Sequence, residues 1–367
     1  MENPFSFTSF AKSPVFCNRV SEQAELKKLI RSFQNILIYS HRRLGKSSLI
    51  LKVFEDLRGF STIYIDLYGT TSIDDFLKAV LKGVSATETK IEKLMKLIQA
   101  KIKSISVNFS FDPITGFPVA APALTPFDKT PVVDEVFSLI EALSMKKKLV
   151  IAFDEFQEIS KYGDLAFEKQ LRKNIQNHHQ VSYIFCGSQK HLLMEMFNDS
   201  KRAFYKQASS LPLKKIKKLE YIRWIAELAS KAKKVIENKT VDYLVEKCDY
   251  HPMYIQEFLF HLWEYNSISM EKIDLIELKI LSNRNAEFIA VWDVLTLNQK
   301  KTLKLLILSN GVSVYSVDNM AKVGLKSASM VKKSLEVLSK RELVNKNGNY
   351  FIQDIMLKKW IEKKYIL

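Results

Sequence analysis

The chain has few of the features that mark a secreted or membrane-spanning protein. Its three cysteines, Cys17, Cys186 and Cys248, are widely spaced and odd in number, which argues against a disulfide framework and a CxxC metal site. No apolar run is long enough to cross a bilayer, and no basic stretch followed by an apolar one suggests a leader. The sequence therefore predicts a cytoplasmic protein that needs no membrane.

Glycine and proline are also scarce, with 10 and 9 among 367 residues. Neither an internal repeat nor a low-complexity tract is present, so linkers should be short and the structure mostly helical. Because 47% of the residues are hydrophobic, a chain of this length can bury two or three cores.

Acidic residues are outnumbered by basic ones, and the resulting net charge of +16 is uneven along the chain. Residues 292–367 contain 14 Lys or Arg and only 6 Asp or Glu, whereas residues 213–291 contain 13 and 12. Half of the excess therefore lies in the last fifth of the sequence, where a polyanion could bind.

Short apolar runs alternate with helical patterns in the first 212 residues, and this alternation predicts a parallel sheet. A polar and apolar alternation at 106–111, followed by a turn at 112–116, predicts a small hairpin or flap. The four runs predicted to form the parallel strands are 34–39, 61–67, 148–153 and 181–186.

From residue 213 the pattern becomes continuously helical. Three further helices, around 298–308, 317–323 and 327–339, precede two short strands at 342–345 and 349–352. Three helices followed by a hairpin predict a winged helix-turn-helix. The expected domains are an α/β core at 1–212, a helical lid at 213–291 and a winged helix domain at 292–367.

The segment 40–47 resembles a phosphate-binding P-loop, because it follows a predicted strand and opens a predicted helix. Lys46 would reach the β- and γ-phosphates, and Ser47 would bind Mg²⁺. Ser40 stands where the usual pattern has glycine, so the loop entrance must adopt an ordinary backbone conformation. The residues of this segment predicted to bind nucleotide are Ser40, Arg42, Arg43, Leu44, Gly45, Lys46, Ser47 and Ser48.

The third predicted strand ends in two adjacent carboxylates. Asp154 would lie near Mg²⁺, while Glu155 would orient or deprotonate the attacking water. Ser188 follows the fourth strand, where a polar side chain would face the γ-phosphate. Arg42 and Arg43 could contact phosphate or remain solvated, and the sequence leaves both interpretations open.

Seven motifs of the sequence carry a family resemblance: 16–19 with Glu22 and Glu25, 42–49, 63–66, 151–156, 186–188, 251–256 and 350–360. Together they identify the chain as similar to the archaeal-type ATPases of the STAND branch, which are relatives of the AAA proteins. This resemblance implies a P-loop NTPase fold with an AAA-like α/β ATPase core at 1–212, an α-helical lid and a C-terminal winged helix, and it implies ATP as ligand. It also implies that Phe16, Asn18 and Arg19 lie beside the adenine, and that His251 and Pro252 approach the nucleotide from the lid.

The chain departs from these relatives after the fourth predicted strand. The relatives tend to carry an arginine there, whereas residues 204–208 of this sequence contain none. Arg202 and Lys206 are the candidate substitutes. Because an arginine that neutralises developing phosphate charge accelerates hydrolysis about 10³- to 10⁵-fold, slow hydrolysis is expected. The main hypothesis is a conformational switch driven by Mg-ATP and reset by hydrolysis to ADP.

The sequence leaves two alternative functions open. The basic helix at 326–333, with Lys346 on the wing, would suit an ATP-licensed regulator or loader of duplex DNA that resembles the origin-recognition initiators. The second alternative is a nucleotide-locked scaffold that acts through a protein partner. The sequence does not fix the oligomeric state.

Overall fold

The computed structural model describes residues 3–8, 16–17, 19–86, 106–111, 118–123 and 130–366. The chain divides into two compact units. One comprises Glu2–Trp224 with His251–Glu257, and the other comprises Ile225–Tyr250 with Phe258–Leu367.

Eleven strands lie in the described part of the chain. They are β1 (Ile36–Tyr39), β2 (Ser61–Asp66), β3 (Ser106–Phe111), β4 (Pro118–Ala123), β5 (Leu149–Asp154), β6 (Val181–Gly187), β7 (Ser209–Pro212), β8 (Val235–Ile236), β9 (Ser267–Ile268), β10 (Val344–Asn347) and β11 (Asn349–Ile352).

The helices of the first unit, or beginning in it, include α1 (Val20–Arg31), α2 (Lys46–Asp56), α3 (Ile73–Ser85), α4 (Thr130–Ser144), a 3₁₀ helix (Phe156–Tyr162), α5 (Leu165–Asn177), α6 (Lys190–Asn198), α7 (Lys218–Lys231) and α9 (Pro252–Leu262). Those of the second unit include α8 (Asn238–Lys247), α10 (Met270–Asn283), α11 (Asn285–Asp293), α12 (Leu297–Leu308), α13 (Val317–Ala321), α14 (Ala328–Lys340) and α15 (Ile355–Tyr365).

The first unit is built on a five-stranded sheet in the order β2-β5-β6-β1-β7, and every neighbouring pair is parallel. The central strands are apolar along their whole length because both faces of the sheet are covered. On β5, for example, Ile151 and Phe153 pack in one core with α3, α4 and α5, while Val150 and Ala152 pack in a second core with α1 and α2. The predicted parallel α/β core is thus confirmed.

The fifth strand, β7, was not among the predicted strands. Its four residues are mostly polar, and only Leu211 is buried. It lies at the edge of the sheet and pairs with β1 alone, so it needs neither two buried faces nor a long apolar run. Side-chain periodicity cannot detect such a strand, because the strand is defined by backbone pairing with the neighbouring strand and not by a pattern in its own side chains.

The register brings the carboxyl ends of the strands to one edge of the sheet. Tyr39 at the end of β1 pairs with Gly187 of β6, and Asp66 at the end of β2 pairs with Asp154 of β5. Segments that follow these strands therefore meet at that edge, which is where ligands bind in open parallel sheets.

The predicted hairpin is present as two strands, β3 and β4, which pair antiparallel from Ser106–Ala123 to Phe111–Pro118. The turn predicted at 112–116 lies outside the described residues.

The second unit ends in a winged helix. Helices α12, α13 and α14 begin at the side-chain caps Thr296, Ser316 and Ser327, and Thr296 forms a full capping box with Gln299. Strands β10 and β11 then pair antiparallel around Gly348, which has a φ of 73°. The predicted three helices and hairpin are confirmed, although β8 and β9 add a two-residue parallel pair within the stretch expected to be only helical.

Within this unit, ion pairs connect the winged helix to the preceding helices. The Glu277 carboxylate on α10, only 8% exposed, pairs with Lys247 of α8 at 3.0 Å and with Lys359 of α15. Arg284 also pairs with Asp354, at 2.9 Å, at the start of α15. These contacts fix α15 against α10.

No helix in the described ranges is both long and apolar enough to span a membrane.

Candidate functional site

The P-loop joins β1 to α2 at the carboxyl edge of the sheet. Gly45 immediately precedes α2 and has a φ of 87°, a conformation that suits glycine because a side chain would be strained there. Arg43 also has a positive φ, 59°. Helix α2 thus begins directly after the loop, and a helix N-terminus is a place where backbone amide groups bind anions.

Lys46 lies within this loop and is only 6% exposed. Its ammonium donates to the Ser40 hydroxyl and to the His41 carbonyl, each at 3.3 Å. Burial lowers the pKa of Lys46, because desolvation disfavours its charged form. A phosphate anion bound in the loop would stabilise the charged form of this side chain.

Ser47 and Asp154 meet although they come from different segments. The Ser47 hydroxyl donates to Asp154 Oδ2 at 2.5 Å, and the carboxylate is 6% exposed. The Tyr64 hydroxyl of β2 donates to the same oxygen. The other oxygen, Oδ1, accepts from the Glu155 amide at 2.9 Å and from the Cys186 thiol at 3.1 Å.

A hydroxyl and a carboxylate so close together form the hard oxygen donor set that Mg²⁺ prefers. Among the residues that the structure describes, no group of three or more His, Cys, Asp or Glu could hold a metal ion. Ser47 and Asp154 fit a magnesium ion that takes its other ligands from phosphate and water.

Glu155 follows Asp154 in the sequence, and one oxygen of its carboxylate is hydrogen-bonded. Its Oε2 accepts hydrogen bonds from Gln157 Nε2 at 2.5 Å, from the Ser188 amide at 3.1 Å and from the Ser188 hydroxyl at 2.9 Å. Strand β6 lies between β1 and β5, so Ser188 at its end lies between the P-loop and Glu155. The predicted residues Lys46, Ser47, Asp154, Glu155 and Ser188 thus share one edge of the sheet.

Of the three residues predicted beside the adenine, Asn18 lies outside the described residues. Phe16 is half-buried and packs against the core that contains α1 and α2. Arg19 is 2% exposed and donates to the carbonyls of Leu44 at 2.8 Å and Lys214 at 3.0 Å. The Arg19 guanidinium thus holds the P-loop backbone at the Leu44 carbonyl.

The remaining predicted residues surround the loop. The His251 ring nitrogen Nε2 lies 3.2 Å from the Arg42 carbonyl, and Pro252 begins α9. Arg43 donates to the Met253 sulfur at 3.3 Å, so His251 and Arg43 connect the P-loop to the start of α9. The neighbouring loop residues Leu44 and Ser48 are buried.

Arg202, a candidate for the missing arginine, is engaged elsewhere. It pairs with the buried Glu168 at 2.5 Å and with Glu195 at 2.8 Å, so its charge is already neutralised. Lys206 has its ammonium over the Tyr205 ring at 5.2 Å.

Sequence reasoning gave no role to three residues of this site. Tyr64 and Cys186 were parts of motifs, and Gln157 was not singled out. All three reach the carboxylates through the fold, Tyr64 and Cys186 from the strands on either side of β5 and Gln157 from the 3₁₀ helix after it. For Tyr64 and Cys186 the available clue was a hydrogen-bond donor within an apolar strand run.

Comparisons with known proteins agree with this architecture. Residues 16–258 match the family described as an ATPase domain predominantly from Archaea, and residues 286–363 match the family described as "Probable winged helix domain". No curated protein matches the sequence.

Solved structures with this fold include two that align over nearly the whole chain. The Walker-type ATPase PABY2304 of Pyrococcus abyssi is 17% identical with a TM-score of 0.66, and the alignment covers 96% of this chain and 98% of that one. The ORC2 protein of Aeropyrum pernix, in its ADPNP–ADP complexes, is 11% identical with a TM-score of 0.55 over 96% and 95% of the two chains. Because the first family match spans more than half of the sequence, the chain belongs to the family of ATPase domains found predominantly in Archaea.

Proposed function

We propose that the protein binds Mg-ATP at the P-loop and hydrolyses it slowly, acting as a conformational switch. The observation that carries this proposal is the position of Glu155, whose carboxylate is bound on one oxygen by Ser188 and Gln157 beside the pair formed by Ser47 and Asp154. A carboxylate next to a magnesium ligand can accept a proton from water.

The phosphates would lie against the amides of α2 and the ammonium of Lys46. Ser47 and Asp154 would hold Mg²⁺, which supplies charge neutralisation for the phosphate oxygens. Glu155 would accept a proton from the attacking water as the new oxygen–phosphorus bond forms at the γ-phosphorus. The bond to the bridging oxygen breaks, and its electron pair leaves with ADP.

Residues around the P-loop are also proposed to contact the nucleotide. Phe16, Asn18 and Arg19 are proposed on the adenine side, where the role of Arg19 is to hold the Leu44 carbonyl. His251, Pro252, Arg42 and Arg43 are proposed to sense nucleotide, because His251 contacts the P-loop backbone and would move with it. Such differential contact is what a ligand-driven switch requires.

Slow turnover is expected because Arg202 is bound to Glu168 and Glu195 and is not free to stabilise a transition state. An arginine supplied from elsewhere would raise the rate about 10³- to 10⁵-fold. The STAND assignment and a cytoplasmic location remain predictions of the sequence.

The proposal is tested by steady-state ATPase assays and ATP-binding titrations of the wild type, Lys46→Ala and Glu155→Gln. Wild-type turnover that both variants abolish, with ATP binding retained in Glu155→Gln, is the expected result. Tight ATP binding by the wild type without turnover would reject hydrolysis and favour the nucleotide-locked scaffold that acts through a protein partner.

A second candidate is an ATP-licensed protein that binds duplex DNA. It is favoured by the exposed face of α14, where Lys332 and Lys333 point to solvent while Val331 and Leu335 are buried. Lys346 on the wing is also exposed. Because the exposed face carries lysine and no arginine, we propose contacts to phosphate rather than base readout.

A further inference from the structure

The buried amide of Gln157 is incompletely satisfied. The side chain is 1% exposed, and its Nε2 donates to Glu155 at 2.5 Å, but no described residue donates a hydrogen bond to its Oε1. A buried acceptor without a partner lowers stability by about 1–3 kcal/mol. Such groups are uncommon in folded proteins, so each one calls for a functional reason.

The neighbouring backbone is shaped around this amide. A Cβ added to Gly187, the last residue of β6, would lie 1.9 Å from Gln157 Oε1, so a side chain at this position would push the amide out of its present place. Leu193 Cδ1 would lie 3.1 Å from the same Cβ, so the leucine also borders the space beside the glycine. The amide thus fills space that exists because residue 187 has no side chain, although the Gln157 Oε1 atom has no partner among the described residues.

The backbone of Glu155 is also in a costly conformation. Its φ of 52° and ψ of 39° are left-handed, a region that a residue other than glycine enters at a cost of about 1 kcal/mol or more. This conformation starts the 3₁₀ helix that carries Gln157 back toward Glu155. The unsatisfied Gln157 Oε1 and the left-handed backbone of Glu155 are thus two unfavourable features that accompany one contact, the hydrogen bond from Gln157 to Glu155.

The contact leaves half of the carboxylate available. Gln157 and both donors of Ser188 bind Oε2. Among the described residues these are the side-chain and amide donors to the carboxylate, so Oε1 can accept a hydrogen bond from water. The amide orientation is also determined, because a flipped Gln157 would place its oxygen against a carboxylate oxygen.

We propose that Gln157 is a positioning residue that, together with Ser188, fixes the Glu155 carboxylate so that Oε1 faces the attacking water. This inference rests on the proposed hydrolysis and adds to it a residue that touches neither the nucleotide nor the water. Gly187 is part of the same device, because its missing side chain makes space for the amide.

The test is Gln157→Met, which keeps the length of the side chain but removes the donor and the unsatisfied acceptor. We expect kcat to fall on the order of 10- to 100-fold, since an unrestrained general base loses much of its contribution. We expect the Kd for ATP to stay within about twofold. We expect the melting temperature not to fall, since the substitution removes the unsatisfied buried Oε1 together with the donor, and Glu155 Oε2 keeps both donors of Ser188. A purely structural role would instead lower the melting temperature and leave kcat unchanged.

The matched control is Gln299→Met, because Gln299 is 7% exposed and its Oε1 accepts from the Thr296 amide at 3.0 Å in the capping box. It should melt at a lower temperature with unchanged kcat. If Gln157→Met does not fold, Gln157→Leu removes the donor with an apolar side chain and adds no charge beside Glu155, and the same loss of kcat with retained ATP affinity is expected.

Unchanged kcat in a folded Gln157 variant, in the presence of wild-type turnover, would overturn the inference and leave the proposed function standing. Absence of turnover in the wild type, with ATP bound, would reject the proposed hydrolysis and this inference together.

Discussion

Ser47 and Asp154 are separated by 107 residues in the sequence, yet the serine hydroxyl donates to the aspartate at 2.5 Å. The pair forms because β5 and β1 are held in one parallel sheet with β6 between them. Tyr64 donates to the same carboxylate oxygen from β2. Three segments thus converge on one oxygen atom at the edge of the sheet.

Tyr64→Phe should weaken the effect of Mg²⁺ on nucleotide binding. Burial and the Asp154 carboxylate raise the pKa of Tyr64, so its hydroxyl remains a donor that orients Asp154. Loss of a residue that orients a metal ligand reduces metal affinity about 10- to 100-fold. Titrations of ATP at several Mg²⁺ concentrations should show a higher half-saturating Mg²⁺ concentration, while ATP affinity without Mg²⁺ is unchanged.

Tyr162→Phe is the control for this measurement, because its hydroxyl also makes a side-chain hydrogen bond, to Thr70 at 2.6 Å, and does not reach Asp154. It should leave the Mg²⁺ dependence unchanged. Equal Mg²⁺ dependence in wild type and Tyr64→Phe would show that Asp154 is oriented without the tyrosine.

Glu277→Gln should destabilise the second unit strongly. The carboxylate is 8% exposed and balances Lys247 and Lys359, and removal of its charge leaves ammonium groups in a partly buried site. Breaking a buried pair costs about 3–5 kcal/mol, and the loss here should lie toward the lower value because Lys247 keeps its pair with Asp274 at 2.8 Å. Urea unfolding followed by tryptophan fluorescence should show the loss, because three tryptophans, Trp263, Trp292 and Trp360, belong to this unit.

Glu287→Gln provides the comparison. Glu287 pairs with Arg284 at 2.9 Å but is 58% exposed, and an exposed pair contributes less than about 1 kcal/mol. Similar losses in the two variants would mean that burial does not govern the strength of the Glu277 contacts.

His178 should make the protein less stable in acid. Burial lowers the pKa of His178 to about 4 from 6.5, and its Nδ1 lies 2.6 Å from the Tyr183 hydroxyl. Above pH 6.5 the ring is neutral in both folded and unfolded chains. As the pH falls from 6.5 to about 4, only the unfolded chain takes up the proton, and stability decreases by about 3 kcal/mol.

Urea unfolding at pH 7 and pH 4.5 tests this dependence. In His178→Gln the difference between the two pH values should shrink by most of that amount, whereas His179→Gln, at an exposed position, should behave like the wild type. A difference that is unchanged in His178→Gln would assign the acid sensitivity to other groups.

The charge reversal Lys332→Glu with Lys333→Glu tests binding to duplex DNA. If α14 contacts phosphate, the salt dependence of the binding constant should become shallower by about 0.9 for each lost contact. Fluorescence anisotropy with a labelled duplex, with ATP and without nucleotide, measures this slope. The reversal of two other exposed lysines, Lys146 and Lys147, should leave it unchanged, and lack of wild-type binding at low salt would remove the candidate.

The parts of the fold that the sequence predicted are those with a strong local pattern. Strand β5 is apolar at every position because both its faces are buried, and the caps Ser316 and Ser327 begin two helices of the winged helix. Strand β7 has no such pattern, and it exists because its backbone pairs with β1. Only the tertiary structure decides that this strand forms.

The same distinction applies to the site. The sequence by itself determined which groups are available: a lysine and a serine at the start of a helix, and two carboxylates at the end of a buried strand. The tertiary structure alone decided that Tyr64 reaches Asp154, that Gln157 and Ser188 hold Glu155, and that Arg202 is taken up by Glu168. The physical reason is that strand and helix patterns depend on near neighbours, whereas these contacts depend on strand order and register between residues far apart in the chain.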